Sequence, residues 1–351
     1  MRAGNPVFRF GRQSFGHRGF SHQGFYRSGF KGRSAKLLVQ ALLFLSLTFV
    51  LPAFAATPKE LLAAGRVDEA IEILQQKIDH NASDAEPYNL LCRAYFMEED
   101  WDHAITNCER AHNLDPQSSL YALWLGRAYG EKADRVGFLS AAGLAKKVRT
   151  SFERAVELDP RNWEARTDLA EFYLEAPFIV GGGKDKARAQ ADALMPLNPA
   201  MAHWIAARIA AKNNDPAAAE SEYRAETAVS HSSARALVDL AIFLRHANRL
   251  DEMDQVIRKI ESAPVDRGEA LMDGASILLR TGRDYPVAVR LLKRYLLSPV
   301  EEGPAFKAHD LLGQLLERQG DRKGAADEFR AALALAQNYA RAEEDLKKIQ
   351  S

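Results

Sequence analysis

No acidic residue precedes Glu60 in this chain of 351 residues, and that absence hides the charge of the rest. The formal net charge is zero, from 47 basic and 47 acidic residues. Eight of the basic residues lie in positions 1–55, so the remainder carries 39 Lys and Arg against 47 Asp and Glu. An acidic body repels a phosphate backbone, which excludes nucleic acid as the expected partner. Neither H-E-x-x-H nor G-x-S-x-G occurs, so neither a zinc-peptidase helix nor a nucleophile elbow is encoded. No patterned pair of nucleophile and base stands out, and neither catalysis nor a cofactor is expected. Apolar runs stop short of the ~20 residues that a spanning helix needs. The segment around positions 53–56 has no cysteine, which argues against a lipid anchor there.

What positions 1–55 do contain reads as an export leader. Leu37 to Leu51 is a 15-residue apolar run, interrupted only by Gln40, Ser46 and Thr48. Arg33 and Lys36 precede it, Pro52 ends it, and Ala53-Phe54-Ala55 forms a small-x-small cleavage site. Cleavage is expected after Ala55 or Ala56, with delivery to an exported compartment, the periplasm of a bacterium. The alternative is an uncleaved helix that tethers the protein to the inner membrane, its one expected membrane contact. Residues 8–33 mix Phe, Gly, Arg, His and Ser without an aliphatic residue, the composition of a disordered leader.

Beyond the leader, the chain repeats itself. Cys108–Pro116 reads CERAHNLDP and Phe152–Pro160 reads FERAVELDP; six of nine residues agree across a separation of 44. Self-similarity at such a period marks a stack of supersecondary units, and stacks work by presenting a surface. Residues 85–118 carry Tyr88, Leu91, Cys92 and Tyr95 at helical spacing. Ala104, Cys108 and Ala111 then make a second such face before Asp115-Pro116. Leu125-Gly126, Tyr129, Phe152 and Pro160 repeat the pattern over 119–162. Leu169-Ala170, Tyr173, Ala187, Ala191 and Pro199 do so over 163–201, and Leu312-Gly313, Leu316, Ala325 and Phe329 over 304–338.

These residues and their 34-residue period resemble the tetratricopeptide-repeat family, with its L-G-x2-Y first helix and A-x3-F second helix. The resemblance covers residues 57–338 and is weaker between 200 and 303. It implies an all-α right-handed superhelical solenoid of about eight helix pairs, closed by a polar capping helix over 339–351. Cys92, Gly126, Ala170 and Gly313 are small where the first helix of a unit must approach the second.

The resemblance also implies a protein or peptide partner on the concave wall formed by the first helices. Carried over to this chain, that wall holds Asn89, Arg93, Met97, Leu123, Arg127, Thr167, Glu171, Arg208 and Arg245. Their arginines suit an acidic or C-terminal peptide, because a guanidinium forks a carboxylate; ordinary solvated polar residues are the competing reading. No sequence pattern fixes an oligomeric state.

Two units are too long. The ten-residue excess in 119–162 is apolar and small, GFLSAAGLAKKV from Gly137, and should lengthen the second helix by ~15 Å. The five-residue excess in 163–201 holds Pro177-Phe178-Ile179-Val180 and Gly181-Gly182-Gly183. Asp185 after Lys184 departs from a phosphate-binding loop, so the glycines read as a turn. Phe138, Leu139, Leu144 and Phe178 either pack the two excesses together or form a docking surface.

Cys92 and Cys108 face each other across one unit. In an oxidising compartment they are either bridged or two small buried thiols. His103 and His112 share the helix of Cys108, but no fourth ligand converges, and no metal is expected.

Overall fold

A computed structural model of the chain describes residues 56–265, 268–298 and 304–350. Seventeen α-helices and no strand occur among them. The helices alternate in antiparallel pairs: α1 (Pro58–Ala63) with α2 (Val67–His80), α3 (Ala85–Met97) with α4 (Trp101–Leu114), α5 (Ser119–Ala133) with α6 (Phe138–Leu158), and α7 (Trp163–Glu175) with α8 (Lys184–Leu194). They continue as α9 (Pro199–Lys212) with α10 (Pro216–Val229), α11 (Ala234–His246) with α12 (Leu250–Ile260), α13 (Glu269–Thr281) with α14 (Tyr285–Leu297), and α15 (Ala305–Arg318) with α16 (Arg322–Leu335). A last helix, α17 (Ala340–Gln350), covers Ala326 and Phe329 of α16 with Ile349 and Leu346. The expected eight pairs and cap are therefore present.

Local chemistry sets the boundaries. Asp84, Asp100, Ser118, Asn162, Asn198, Asp215, Ser233 and Asp321 each accept a hydrogen bond from a backbone N–H of the helix that follows. Such caps satisfy donors that a helix leaves open and contribute about 1 kcal/mol each. Between first and second helices the chain reverses through a left-handed residue in six pairs, Gly65, Glu99, Asn214, Asn248, Gly282 and Gly320, with Asp284 (φ 40°) a second one in the turn after α13. Glycine and asparagine tolerate that region; glutamate does not, so Glu99 at φ 66° is strained.

Packing follows the small-residue rule. A Cβ built on Gly126 would lie 2.5 Å from the Phe152 ring, and one on Gly313 would lie 2.5 Å from the Phe329 ring. A continuous apolar core runs along the stack from Cys92 to Leu315.

The ten extra residues extend α6 to 21 residues, beside an α5 of ordinary length. The five extra residues form a 3-10 turn, Phe178–Val180, followed by Gly181 at φ 102°. Gly182 is required by proximity, since a Cβ there would collide with the Ala176 carbonyl. The excesses touch through Arg149, whose Nη1 donates to the Val180 carbonyl at 3.3 Å. Phe138 and Phe178 stay 64% and 89% exposed, and Leu144 is half-buried against the core. Phe138 and Phe178 are thus not buried by the packing of the two excesses. The side chain of Leu139, and Ala53 and Ala55 of the cleavage site, lie outside the described residues.

The two ends of the stack meet. Lys307 Nζ at the start of α15 donates to Glu99 Oε1 at 3.0 Å, across 208 residues of sequence. The Gln337 backbone N–H donates to Asp68 Oδ2 at 2.9 Å, across 269 residues. Gly65 sits against Ala305 so closely that a Cβ would come within 2.6 Å of the alanine Cβ.

Candidate functional site

The first helices from α5 to α15, with α10 and α17, enclose a central cavity of about 1220 Å3. It exceeds the roughly 300–1,000 Å3 of most small-molecule sites. Apolar side chains, among them Trp204, Val238, Ile242, Ile277 and Leu311, share its lining with charged side chains of both signs.

The residues assigned to the concave wall from the repeat pattern divide in two. Asn89, Arg93, Met97, Leu123, Arg127, Thr167 and Glu171 are buried. Only Arg208 and Arg245 reach the cavity. The expectation of an exposed arginine wall therefore fails for Arg93 and Arg127, and the reason is their neighbours. Arg127 donates to Asp168 and, at 3.0 Å, to Glu164 of the next pair. Arg93 and Arg127 both lie over the Trp124 ring, 5.0 and 5.2 Å from its centroid. Burial first, and then the like charge of Arg127, pull the Arg93 guanidinium down to about 10, so it remains charged at neutral pH.

A second cation–aromatic stack surrounds Trp204, with Arg208 at 4.7 Å and Arg235 at 5.5 Å. Arg208 donates to Glu171 and Glu175 of the preceding pair. Arg235 faces Glu226 and Asp239 at 3.7 and 3.5 Å. These arginines join successive units. Each leaves its charge neutralised within the wall rather than offered to a ligand.

The outer layer of the cavity holds residues that the repeat pattern did not single out. Lys212, His246, Arg280, Lys307, Arg318, Arg341 and Lys348 face it. So do Glu131, Asp239, Asp273, Asp310, Glu317 and Asp345. Asp310 is buried and accepts from Gln314 Nε2 at 3.1 Å. Burial raises its carboxyl to about 6, against the opposing charge of Arg341.

Cys92 and Cys108 are bridged, with Cα atoms 5.1 Å apart. The bridge removes Cys108 from any metal site, and His103 Nδ1 lies 2.7 Å from Asp100 Oδ2. No group of three or more His, Cys, Asp or Glu poised for a metal occurs among the described residues. No helix among them is long and apolar enough to cross a membrane.

Comparison with known proteins agrees with this architecture. Two family models described as tetratricopeptide repeat match residues 61–128 and 273–345. The solved structure of yeast Tom70 is similar over 87% of this chain and 66% of its own, at 16% identity and a TM-score of 0.50. A thermophilic TPR protein of Thermus thermophilus aligns over 53% of this chain and 97% of its own, at 18% identity and a TM-score of 0.45. A tetratricopeptide repeat protein of Parabacteroides merdae aligns over 76% and 99%, at 17% and 0.37. No curated protein matches by sequence.

Proposed function

Because this chain belongs to the tetratricopeptide-repeat family, we propose that it is a protein-interaction scaffold whose central cavity holds a segment of a partner protein in an exported compartment. The observation that carries the reading is the cavity itself: its lining comes from successive first helices, so one partner segment would touch many units at once. The buried Arg–carboxylate pairs serve a different end, holding the units in register. They leave Arg245 and Arg318, at the edge of the cavity, to meet the partner.

Export rests on two supports, the leader with its apolar run and small-residue site, and the Cys92–Cys108 bridge, which persists in oxidising compartments. A tethered scaffold with the leader uncleaved is the second reading; the 15-residue run 37–51 falls short of the ~20 residues of a span, which weighs against it. N-terminal sequencing of the exported protein separates them: a mature start near Ala56 removes the tether. Catalysis forms no part of the proposal.

A photocrosslinking residue at Ser276 or Ile242, both lining the cavity, tests the binding site. Partner adducts should form there and not from Lys146, which points to solvent on α6. Adducts from Lys146 with none from the cavity would overturn the proposal.

A further inference from the structure

The five-residue excess between α7 and α8 leaves two large apolar side chains standing in water. Phe178 and Ile179 are adjacent in the 3-10 turn and 89% and 83% exposed. Among the described residues, no other two adjacent large apolar side chains are both exposed. Val180, the next residue, is the one that the turn buries. Exposed apolar side chains scattered singly are ordinary, but an adjacent pair marks a contact surface.

The turn is held in place, so the pair is presented in a fixed position. The Gly181 N–H donates to the Phe178 carbonyl at 2.9 Å. The Gly182 and Gly183 N–H groups donate to the Pro177 and Tyr173 carbonyls at 3.2 and 2.7 Å. Arg149 ties the Val180 carbonyl to α6, and Lys186 Nζ donates to the Gly181 carbonyl at 3.0 Å.

Positive charge accompanies the pair. Residues 177–188 carry Lys184, Lys186 and Arg188 against Asp185 alone. The chain beyond residue 55 has the opposite balance, 39 basic residues to 47 acidic. Lys184 Nζ donates to the Lys212 carbonyl at 3.0 Å and to the Asn213 side-chain oxygen at 2.7 Å. Those acceptors are neutral, as is the Gly181 carbonyl that Lys186 meets. Among the described residues, no carboxylate lies within ion-pair distance of Lys184, Lys186 or Arg188. Their charges are positioned but not cancelled.

Two such side chains expose on the order of 300 Å2, well below the roughly 800 Å2 per partner of a stable protein interface. A two-fold contact between copies would also set these lysines against each other. A lipid surface needs neither a large area nor a shaped pocket. It takes a projecting aromatic at headgroup depth, and anionic headgroups attract the cations beside it. We propose that the Phe178–Ile179 turn inserts into the surface of an anionic membrane, with Lys184 and Lys186 on the lipid phosphates. The turn enters the interface without spanning it. This contact depends neither on the central cavity nor on whether the leader is cleaved.

The test uses the full chain with a nitrobenzoxadiazole probe on Ile179→Cys. Cys92 and Cys108 are bridged to each other, so the new thiol is labelled alone. The vesicles hold roughly 30% phosphatidylglycerol in phosphatidylcholine. A leader in the bilayer holds the molecule nearby, but only entry of the turn takes the probe at 179 into lipid. Its emission should shift to the blue and be quenched by lipids brominated on the acyl chains. The same probe on Leu297→Cys, at a side chain 87% exposed on α14, should stay in water.

Lys184→Gln with Lys186→Gln should lose most of the quenching, and Lys184→Arg with Lys186→Arg should keep it. Phe178→Ser should lose it as well, and high salt should weaken it. An unchanged melting temperature, which the exposure of these side chains predicts, shows that each variant is folded.

A probe at 179 that stays in water on these vesicles would overturn the proposal. So would an equal shift on pure phosphatidylcholine, or an equal shift from Leu297→Cys. A blue shift without lipid that grows with protein concentration would mean that a second copy covers the turn, and would overturn it too. None of these outcomes touches the cavity reading, which crosslinking at Ser276 tests by itself.

Discussion

The Cys92–Cys108 bridge occupies the helix crossing that Gly126 and Phe152 fill in the next pair. Gly313 and Phe329 fill it again in the last pair, with the same separation of 16 residues as the two cysteines. Two solutions to one packing problem therefore coexist. A glycine accepts a buried ring, or two sulfurs span the same gap.

Reduction should cost about 3 kcal/mol on the chain-entropy model for a loop of this size. Thermal melts with and without reductant measure it. The double variant Cys92→Gly, Cys108→Phe should become insensitive to reductant and recover part of the loss. A single Cys108→Ala should recover none, because it leaves the space empty. An unchanged melt of the native protein in reductant would show that the bridge adds nothing.

Gly313→Ala should destabilise by about 1–3 kcal/mol, because the new methyl meets a fully buried Phe329 ring. Phe329→Leu in the same chain should relieve part of that cost. Chemical denaturation with an unchanged slope would read it as a packing effect.

Glu98 gives the fold a pH dependence. Burial, then the charges of Asp68 and Asp100, raise its carboxyl from 4.5 to about 7. A carboxyl raised in the folded state contributes stability that is full below its unfolded value and lost as pH rises through the folded one. Burial raises Asp310 in the same direction, to about 6. The melting temperature should fall between pH ~4.5 and ~7.5. Glu98→Gln should flatten that fall and stabilise at pH 8 by about 1–2 kcal/mol, a figure already reduced for partial hydration. A variant that keeps the native slope would remove Glu98 as the source.

Glu99 sets strain against contact. Its left-handed backbone favours glycine, yet its carboxylate meets Lys307 at 3.0 Å. Glu99→Gly should relax the turn by about 1 kcal/mol while raising hydrogen exchange in α1 and at the start of α15. Lys307→Ala should raise exchange at the same places without relaxing the turn. Their coupling in a double-mutant cycle should fall near 0.2–1 kcal/mol. Exchange unchanged in both variants would mean that the ends are held by other contacts.

The stack itself was legible in the sequence, because each unit solves its packing within 34 or so residues. Leu312-Gly313 and Phe329 announce their crossing in one window, and the excess before Val148 announces the long α6. The wall was less legible, because burial of Arg93 and Arg127 depends on groups one unit away, such as Trp124, Glu164 and Asp168. Within one repeat those arginines look like solvent-facing polar residues. The meeting of Lys307 with Glu99 was not readable, since it sums small packing angles over the whole stack.

That meeting ties the contact between the ends to the number of repeats. An open solenoid is a spring, and gaining or losing a unit changes only its length. Here Gly65 abuts Ala305, and Asp68 caps the Gln337 N–H, so the coil behaves as a bracelet with a clasp. Deleting one pair would displace an end by about 10 Å, beyond the reach of an ion pair. A change in the crossing angle of any pair is transmitted to the clasp, where a free-ended stack would simply flex. Any widening of the cavity therefore works against the whole circumference at once.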